Sequence, residues 1–86
     1  MRFEWDKKKE VANIAKNDVD FSEAQTAFSD PLFVMAADER HSSAEPRLFC
    51  NGRSRSGGIL TVRFTYRGDC IRIIGAGYWR KGQENL

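Results

Sequence analysis

Three consecutive segments in the second half of the chain alternate between apolar and polar side chains, and this pattern constrains the fold most. The apolar positions on one side are Leu48, Cys50, Leu60, Val62, Phe64, Tyr66, Ile71 and Ile73. A period of two is typical of strands that press one face against a core and leave the other open. Turn residues at 54–58 and 67–69 predict short connections between the strands. The sequence therefore predicts an antiparallel sheet with one covered face.

The first half of the chain supplies elements that can cover this face. Residues 1–5 alternate as a short strand, with Met1, Phe3 and Trp5 on its apolar side. Asp6 is a good N-cap for a helix over residues 7–16. The apolar stripe of this helix, which we expect to face the sheet, consists of Val11, Ile14 and Ala15.

A second helix is predicted to follow directly. Asp20 and Glu23 have the spacing of a capping pair, and the apolar side chains after Asp20 recur at helical spacing. These side chains are Phe21, Ala24 and Phe28. Residues 29–31 end the helix at a proline, and residues 32–36 are apolar enough for another strand.

These elements predict an α+β fold. An N-terminal strand and two helices pack on one face of a mostly antiparallel sheet of four to five strands. A length of 86 residues leaves room for one domain, which spans residues 1–86. Cys50 and Cys70 lack the spacing of a zinc site, and buried thiols are the expected state for both.

The open face of the predicted sheet collects arginines. These are Arg47, Arg53, Arg63 and Arg72. Residues 1–46 carry a net charge of −4 and residues 47–86 a net charge of +6. A basic face on a folded domain is typical of proteins that bind polyanions, and the guanidinium group matches the geometry of phosphate. The competing interpretation is that arginine and threonine on this face serve only solubility.

Aromatic residues on or beside the arginine face favour single-stranded RNA as the polyanion. Phe49 shares the face, and Tyr78 or Trp79 lies at its edge, so these rings can stack on unpaired bases. No recognition helix for duplex DNA is evident.

Cleavage of RNA requires a base, an acid and positive charge at the phosphate. Arg47, Arg53 and Arg72 are candidates for the charge. His41 and Glu45 are candidates for proton transfer, with Tyr78 as an alternative acid. A lone histidine in a polar loop is more often simply solvated. This chemistry needs no metal or other cofactor, and we expect none.

The location of the protein follows from what the chain lacks. No apolar run approaches the roughly 20 residues that cross a bilayer. The first nine residues are too charged for a signal peptide. We therefore expect a cytoplasmic protein that does not contact membranes.

Short motifs spread along the chain, in a constant order, resemble the BrnT family of toxins, the ribonuclease half of the BrnT–BrnA type II toxin–antitoxin systems. The resemblance runs from Phe3 to about Lys81. The matching residues are Phe3–Asp6, Lys9, Asn13, Lys16, Val19–Ala24, Phe28–Pro31, His41, Glu45, Arg47, Gly52–Ser54, Arg67–Asp69, Ile71–Ile74 and Ala76.

The resemblance implies a RelE-like fold and a metal-independent endoribonuclease that cuts mRNA and inhibits translation, as part of a stress response. It implies as partner a BrnA-like antitoxin, which binds the toxin in a hetero-oligomer and neutralises it. Carried over by position, the family pattern gives weight to five residues in the catalytic site: His41, Glu45, Arg47, Arg53 and Arg72.

This chain departs from the family pattern at two places. Many relatives read Ser-Ala-Arg where this chain has Gly75, Ala76 and Gly77, so one basic side chain is absent. Arg80 and Lys81 return basic charge, and we count them with Arg63, Phe49 and Tyr78 as RNA-binding residues. The usual relative also continues into a basic C-terminal helix, whereas this sequence ends at residue 86.

These departures leave three hypotheses. The first is an active ribonuclease toxin. The second is a degenerate, non-catalytic homologue that binds only its antitoxin or RNA. The third is a small structural or regulatory domain whose basic face meets an acidic partner. Growth arrest, antitoxin binding and salt-dependent RNA binding distinguish them.

Overall fold

The structure, a computed structural model, describes residues 1–41 and 45–79, except for the side chain of residue 41. The predicted α+β class is confirmed. The elements in chain order are β1 (Arg2–Trp5), α1 (Lys7–Asn17), α2 (Phe21–Gln25), β2 (Val34–Ala37), β3 (Leu48–Arg53), β4 (Ile59–Arg67) and β5 (Cys70–Tyr78). Short 3₁₀ helices follow α2 at Thr26–Ser29 and β2 at Glu39–His41.

The five strands form one sheet in the order β1-β5-β4-β3-β2. The strands β2 to β5 pair in succession as antiparallel neighbours, whereas β1 pairs with β5 in parallel, so the sheet is mixed. Gly68, at a φ of 60°, lies in the tight connection between β4 and β5, as the turn residues predicted. No helix within residues 1–41 and 45–79 is long and apolar enough to cross a bilayer.

The core lies between one face of the sheet and the segment that runs from Val19 through α2 to Phe28. Its buried members are Val19, Phe21, Ala24, Ala27, Phe28, Cys50, Leu60, Val62, Phe64, Ile71, Ile73 and Ala76. Gly52 is required where the two layers approach, because a Cβ atom there would lie 2.3 Å from the carbonyl oxygen of Ala27.

Aromatic rings join the layers of this core. Phe28 meets the rings of Phe3 and Phe64 edge to face, with centroids 5.2 and 5.1 Å away. Trp5 meets Phe21 in the same way at 5.9 Å. The predicted apolar side of β1 therefore packs on the core through Phe3 and Trp5, although Met1 stays 81% exposed.

Both cysteines are buried and free, as predicted. Burial, with a smaller contribution from the negative charge of Asp30, raises the pKa of the Cys50 thiol to about 11. Cys50 is therefore an uncharged core side chain at neutral pH rather than a nucleophile.

The prediction that β1 and both helices pack on one face of the sheet is wrong, because β1 is a strand of the sheet and α1 lies beside Gly75 and Gly77, on the face opposite the core that α2 covers. The predicted buried stripe of α1 is therefore wrong too, although the bounds of the helix and its Asp6 cap are confirmed. Val11 and Ile14 are 57% and 42% exposed, and Ala15 is exposed as well. The buried residues of the helix are instead Glu10 and Asn13. Glu10 accepts a hydrogen bond from a main-chain N–H of another segment, and Asn13 donates to main-chain carbonyls of other segments. These bonds compensate for the burial of the two polar side chains.

The strand predicted at residues 32–36 begins two residues later, at Val34. The carboxylate of Asp30 accepts a hydrogen bond from the Leu32 N–H at 2.9 Å, and its carbonyl accepts one from the Phe33 N–H at 3.1 Å. These bonds hold residues 30–33 in a turn, so that Leu32 protrudes with 83% of its surface exposed.

Candidate functional site

The sheet face opposite the core carries the four predicted arginines, and we call it the arginine face. It is defined by Arg47, Arg53, Arg63 and Arg72. Phe49 is the cross-strand partner of Arg63, and Thr65 is the partner of Arg72. Because side chains of paired residues lie on the same side of a sheet, the register gives all four arginines one face.

One row across the arginine face brings two arginines close to a buried hydroxyl. Thr65 on β4 lies between Arg72 on β5 and Arg47, which immediately precedes β3. The Thr65 hydroxyl donates to the carbonyl of Pro46 and is 1% exposed. The row thus places an arginine on either side of a small side chain, and paired guanidinium groups suit the binding of an anion.

An acidic residue of β1 completes this row. Nη1 of Arg72 donates to Oε2 of Glu4 at 2.8 Å, and the two side chains are 26% and 38% exposed. The parallel pairing of β1 with β5 places Glu4 directly beside Arg72. An ion pair at this exposure contributes at most about 1 kcal/mol to stability, and its main effect is to orient the guanidinium group.

Glu45 lies at the same end of the sheet as this row. Its Oε1 accepts a hydrogen bond from Nη2 of Arg67 at 3.3 Å. The arginine neutralises and orients the carboxylate, which stays partly exposed. His41 closes the second 3₁₀ helix, and its side chain lies outside the described residues.

Arg53 lies at the opposite end of β3. It is six positions from Arg47, which corresponds to about 20 Å along a strand. Its Nη1 donates to the carbonyl of Gly57 at 2.6 Å, and its N–H donates to the Asp30 carboxylate at 2.8 Å. The hydrogen bonds from the Arg53 and Leu32 N–H groups lower the pKa of Asp30. The structure therefore does not bring Arg53 together with Arg47 and Arg72.

A groove of about 1330 Å³ runs between α1 and the arginine face. Lys9 and Lys16 line it on the helix side, and Phe49 and Arg63 line it on the sheet side. Nε of Arg63 is buried and has no hydrogen-bond partner within the part of the chain that the structure describes. A buried donor without a partner is costly, and a bound acceptor would satisfy it.

Two aromatic residues lie at one end of the groove, in different environments. The Tyr78 hydroxyl contacts the carboxylate of Glu23 and the hydroxyls of Ser54 and Ser56. Trp79 is 46% exposed, and its indole N–H donates to the Thr61 hydroxyl. Trp79 is therefore more available for stacking than Tyr78.

Arg80 and Lys81, predicted to bind RNA beyond these aromatic residues, lie outside the described residues. Among residues 1–41 and 45–79, no group of three or more His, Cys, Asp or Glu side chains could hold a metal ion.

A family model described as the ribonuclease toxin BrnT of type II toxin–antitoxin systems matches residues 5–83. The chain belongs to the BrnT family. The resemblance inferred from the short motifs is therefore confirmed, and a toxin of this class implies an antitoxin partner and an RNA substrate. Among curated proteins, none matches the chain.

The fold is shared with a solved BrnT structure. The crystal structure of the Brucella abortus ribonuclease toxin BrnT superposes with a TM-score of 0.68 at 24% sequence identity. The match covers 93% of this chain and 97% of the Brucella chain. The likeness supports the fold of this BrnT homologue across nearly its whole length.

Sequence reasoning missed several residues of the site in this BrnT homologue. Glu4 entered only as part of the matched segment Phe3–Asp6, because its pairing with Arg72 depends on a contact 68 positions away. Lys9 and Lys16 carried a signal as basic residues of α1, yet their position beside the groove depends on how α1 packs. The alternation of β5 ends at Tyr78, and it does not show which of Tyr78 and Trp79 is exposed.

Proposed function

We propose that this chain is an endoribonuclease toxin with a RelE-like fold that cuts mRNA and thereby inhibits translation, in the cytoplasm, during a stress response. A BrnA-like antitoxin neutralises it by forming a hetero-oligomer. The observation that carries this proposal is the row in which Thr65 lies between Arg47 and Arg72. Family membership supplies the ribonuclease class, and this row supplies the positive charge that the reaction requires.

The proposed reaction is a displacement within the RNA strand. A base removes the proton from a 2′-hydroxyl, and the oxygen attacks the adjacent phosphorus while an acid protonates the departing 5′-oxygen. Arg47 and Arg72 stabilise the charge that accumulates on the phosphate oxygens. Glu45 and His41 are the proposed proton-transfer residues. Tyr78, the alternative acid expected from the sequence, lies six positions from Arg72 along β5, or about 20 Å, so we do not assign it to this row.

The groove gives the RNA strand a path away from this row. Arg63 and Lys9 contribute charge for backbone phosphates, and Phe49 contributes a ring for an unpaired base. Since Arg53 lies about 20 Å from Arg47 along β3, we assign it to a different phosphate of the same strand. The substrate in this proposal is single-stranded RNA several nucleotides long.

Induction of the chain in a host without the antitoxin tests this function. We expect growth arrest with loss of intact mRNA, and rescue when a BrnA-family antitoxin is expressed as well. The matched control is Lys8→Ala, which removes one exposed positive charge from α1 outside the groove lining and should remain toxic. Normal growth on induction of soluble, folded wild-type protein would contradict the proposal.

One observation favours the alternative function, a degenerate toxin homologue that only binds antitoxin or RNA. Gly77 lines the groove, and a Cβ atom there would meet Asn17 at 3.6 Å, which is an ordinary contact. Packing therefore does not require glycine at the position where many relatives carry arginine. The absence of that arginine therefore removes a positive charge from the groove and is not a consequence of packing.

Gly77→Arg distinguishes the two functions. If the chain is a weakened nuclease, the variant should arrest growth more strongly than wild type, because it restores a positive charge to the groove. Gly77→Gln is the matched control for the volume of the side chain. A wild type that binds antitoxin without arresting growth, together with an inert Gly77→Arg variant, would favour the non-catalytic homologue.

A further inference from the structure

The two edges of the sheet differ in how they are protected. At one edge, β1 carries Arg2 and Glu4, and both side chains form ion pairs, with Asp69 and Arg72. Charged side chains on an edge strand discourage pairing with another chain. At the other edge, β2 carries no charge, and the whole segment 32–37 is apolar.

Main-chain groups of β2 point out of the sheet. The Asp38 N–H donates to the Arg47 carbonyl at 2.8 Å. Because bonded and non-bonded pairs alternate along antiparallel strands, Ala36 and Val34 also bond inward to β3. Met35 and Ala37 therefore direct their N–H and C=O groups outward, and no hydrogen bond from a described residue meets them.

Exposed apolar side chains accompany these main-chain groups. Leu32 is 83% exposed, the largest value among the big apolar residues within the described part of the chain, and Val34, at 60%, ranks third after Met1. An uncharged, apolar edge with free main-chain groups is a template for an added strand.

The position of β2 indicates what kind of strand would bind. Val34 and Ala36 are cross-strand partners of Asn51 and Phe49, which line the groove on the arginine face. A strand added to β2 would therefore extend that face. Its side chains would lie two strand spacings, or about 10 Å, from those of β3, where the exposed Arg53 ends the strand. Carboxylates on the added strand can reach toward this basic surface.

We propose that an extended, acidic segment of the antitoxin adds to β2 as a sixth strand and so covers the edge of the arginine face. This inference rests on the proposed function, since it takes the toxin's antitoxin as the partner. The outward N–H and C=O groups of Met35 and Ala37 form hydrogen bonds with the main chain of that segment. The carboxylates of the segment lie along the arginine face. Neutralisation then follows from covering the RNA path.

Ala37→Pro tests whether the antitoxin pairs with β2. Proline removes the outward N–H of Ala37 and leaves in place the hydrogen bonds that Ala36 and Asp38 form toward β3. Ala37→Ser is the matched control, which keeps the N–H. By calorimetric titration with a purified BrnA-family antitoxin, we expect the proline variant to bind about tenfold or more weakly and the serine variant to bind as wild type.

Hydrogen exchange on the wild type supplies a readout that needs no variant. The amides of Met35 and Ala37 should exchange rapidly in the free chain and become protected when the antitoxin is bound. Equal binding by Ala37→Pro, or unprotected amides in the complex, would overturn the edge proposal alone.

Two other outcomes would also overturn the proposal. A wild type that does not bind the antitoxin would overturn the proposed function as well. If light scattering shows that the chain alone is a dimer, and Ala37→Pro is a monomer, the occupant of the edge is a second copy instead.

Discussion

Asn13 and Ala76 pair as if they lay on neighbouring strands. The Asn13 side chain accepts a hydrogen bond from the Ala76 N–H at 3.1 Å and donates one to the Ala76 carbonyl at 2.9 Å. The same amide group donates to the Val19 carbonyl at 2.8 Å. Since β1 pairs with β5 only as far as Ile73, the side chain of a helix replaces a strand along the rest of β5. This arrangement sets α1 beside the arginine face and so forms one wall of the groove.

Asn13→Ala should destabilise the protein by about 2–4 kcal/mol, because it leaves main-chain groups of Ala76 and Val19 buried without partners. Urea unfolding at neutral pH measures this change. The matched control is Asn17→Ala, which removes one partly buried hydrogen bond, to Asn13, and should cost less than about 1 kcal/mol. Equal unfolding midpoints for Asn13→Ala and wild type would refute the role of this residue.

Because the apolar stripe of α1 is exposed, polar substitutions there should have little effect on stability. Val11→Ser and Ile14→Gln should each change the free energy of unfolding by less than about 1 kcal/mol, because both side chains face solvent. Phe21→Ala should cost about 3–5 kcal/mol, since Phe21 is fully buried. A large loss of stability in Val11→Ser would restore the original prediction that this stripe packs on the core.

The stability of the protein should fall in acid partly through Glu10. Its carboxylate accepts a hydrogen bond from the Phe21 N–H at 3.0 Å, and this bond, with help from Lys7, holds its pKa below the ordinary value of 4.5 despite burial. A carboxyl whose pKa is lower in the folded state stabilises the fold above its unfolded pKa. That contribution begins to be lost as the pH falls past 4.5 and is gone below the folded pKa.

Glu10→Gln measures this contribution, because glutamine keeps an oxygen for the Phe21 N–H but does not titrate. The variant should lose less stability than wild type between neutral and acidic pH, as followed by urea unfolding. Lys8→Gln is a control in the same helix that leaves the acid dependence as in wild type. Identical pH profiles for Glu10→Gln and wild type would contradict the assignment.

Phe49 should contribute to RNA binding by stacking. Phe49→Ala is expected to weaken the binding of a short single-stranded RNA by about 1–3 kcal/mol, the range for one stacked base. Quenching of Trp79 fluorescence can follow binding, since the other tryptophan, Trp5, packs against Phe21. Tyr66→Ala is the control, because Tyr66 packs beside Phe64, a residue of the core. Unchanged binding by Phe49→Ala would remove this residue from the site.

Much of the fold could be predicted because alternation and capping are local. The period of two was enough to assign the faces of β3, β4 and β5 as far as Ile73, beyond which an irregular register shifts Ala76 into the core. Asp6 and Asp20 were enough to start both helices. The buried side of α1 could not be predicted, because Glu10 and Asn13 are buried for hydrogen bonds with distant main-chain groups. Polarity alone assigns such residues to solvent.

The candidate site was predictable as a face but not as a set of distances. Alternation assigns Arg53 and Arg72 to one side of the sheet, and only the strand order and register show that Arg53 lies far from the row around Thr65. Glu4 was missed because parallel pairing of the first strand with the last leaves no local pattern.

Cleavage of RNA by the purified chain, with a metal chelator present, tests the central claim most directly. The proposed site predicts that wild type cuts single-stranded RNA and that Arg72→Ala lowers the rate about a hundredfold or more, because one guanidinium group at the phosphate is lost. Lys8→Ala should cut at the wild-type rate, since its charge lies outside the groove lining. If Arg72→Ala cuts as fast as wild type, or if the wild type leaves the RNA intact, the proposed catalytic row is wrong.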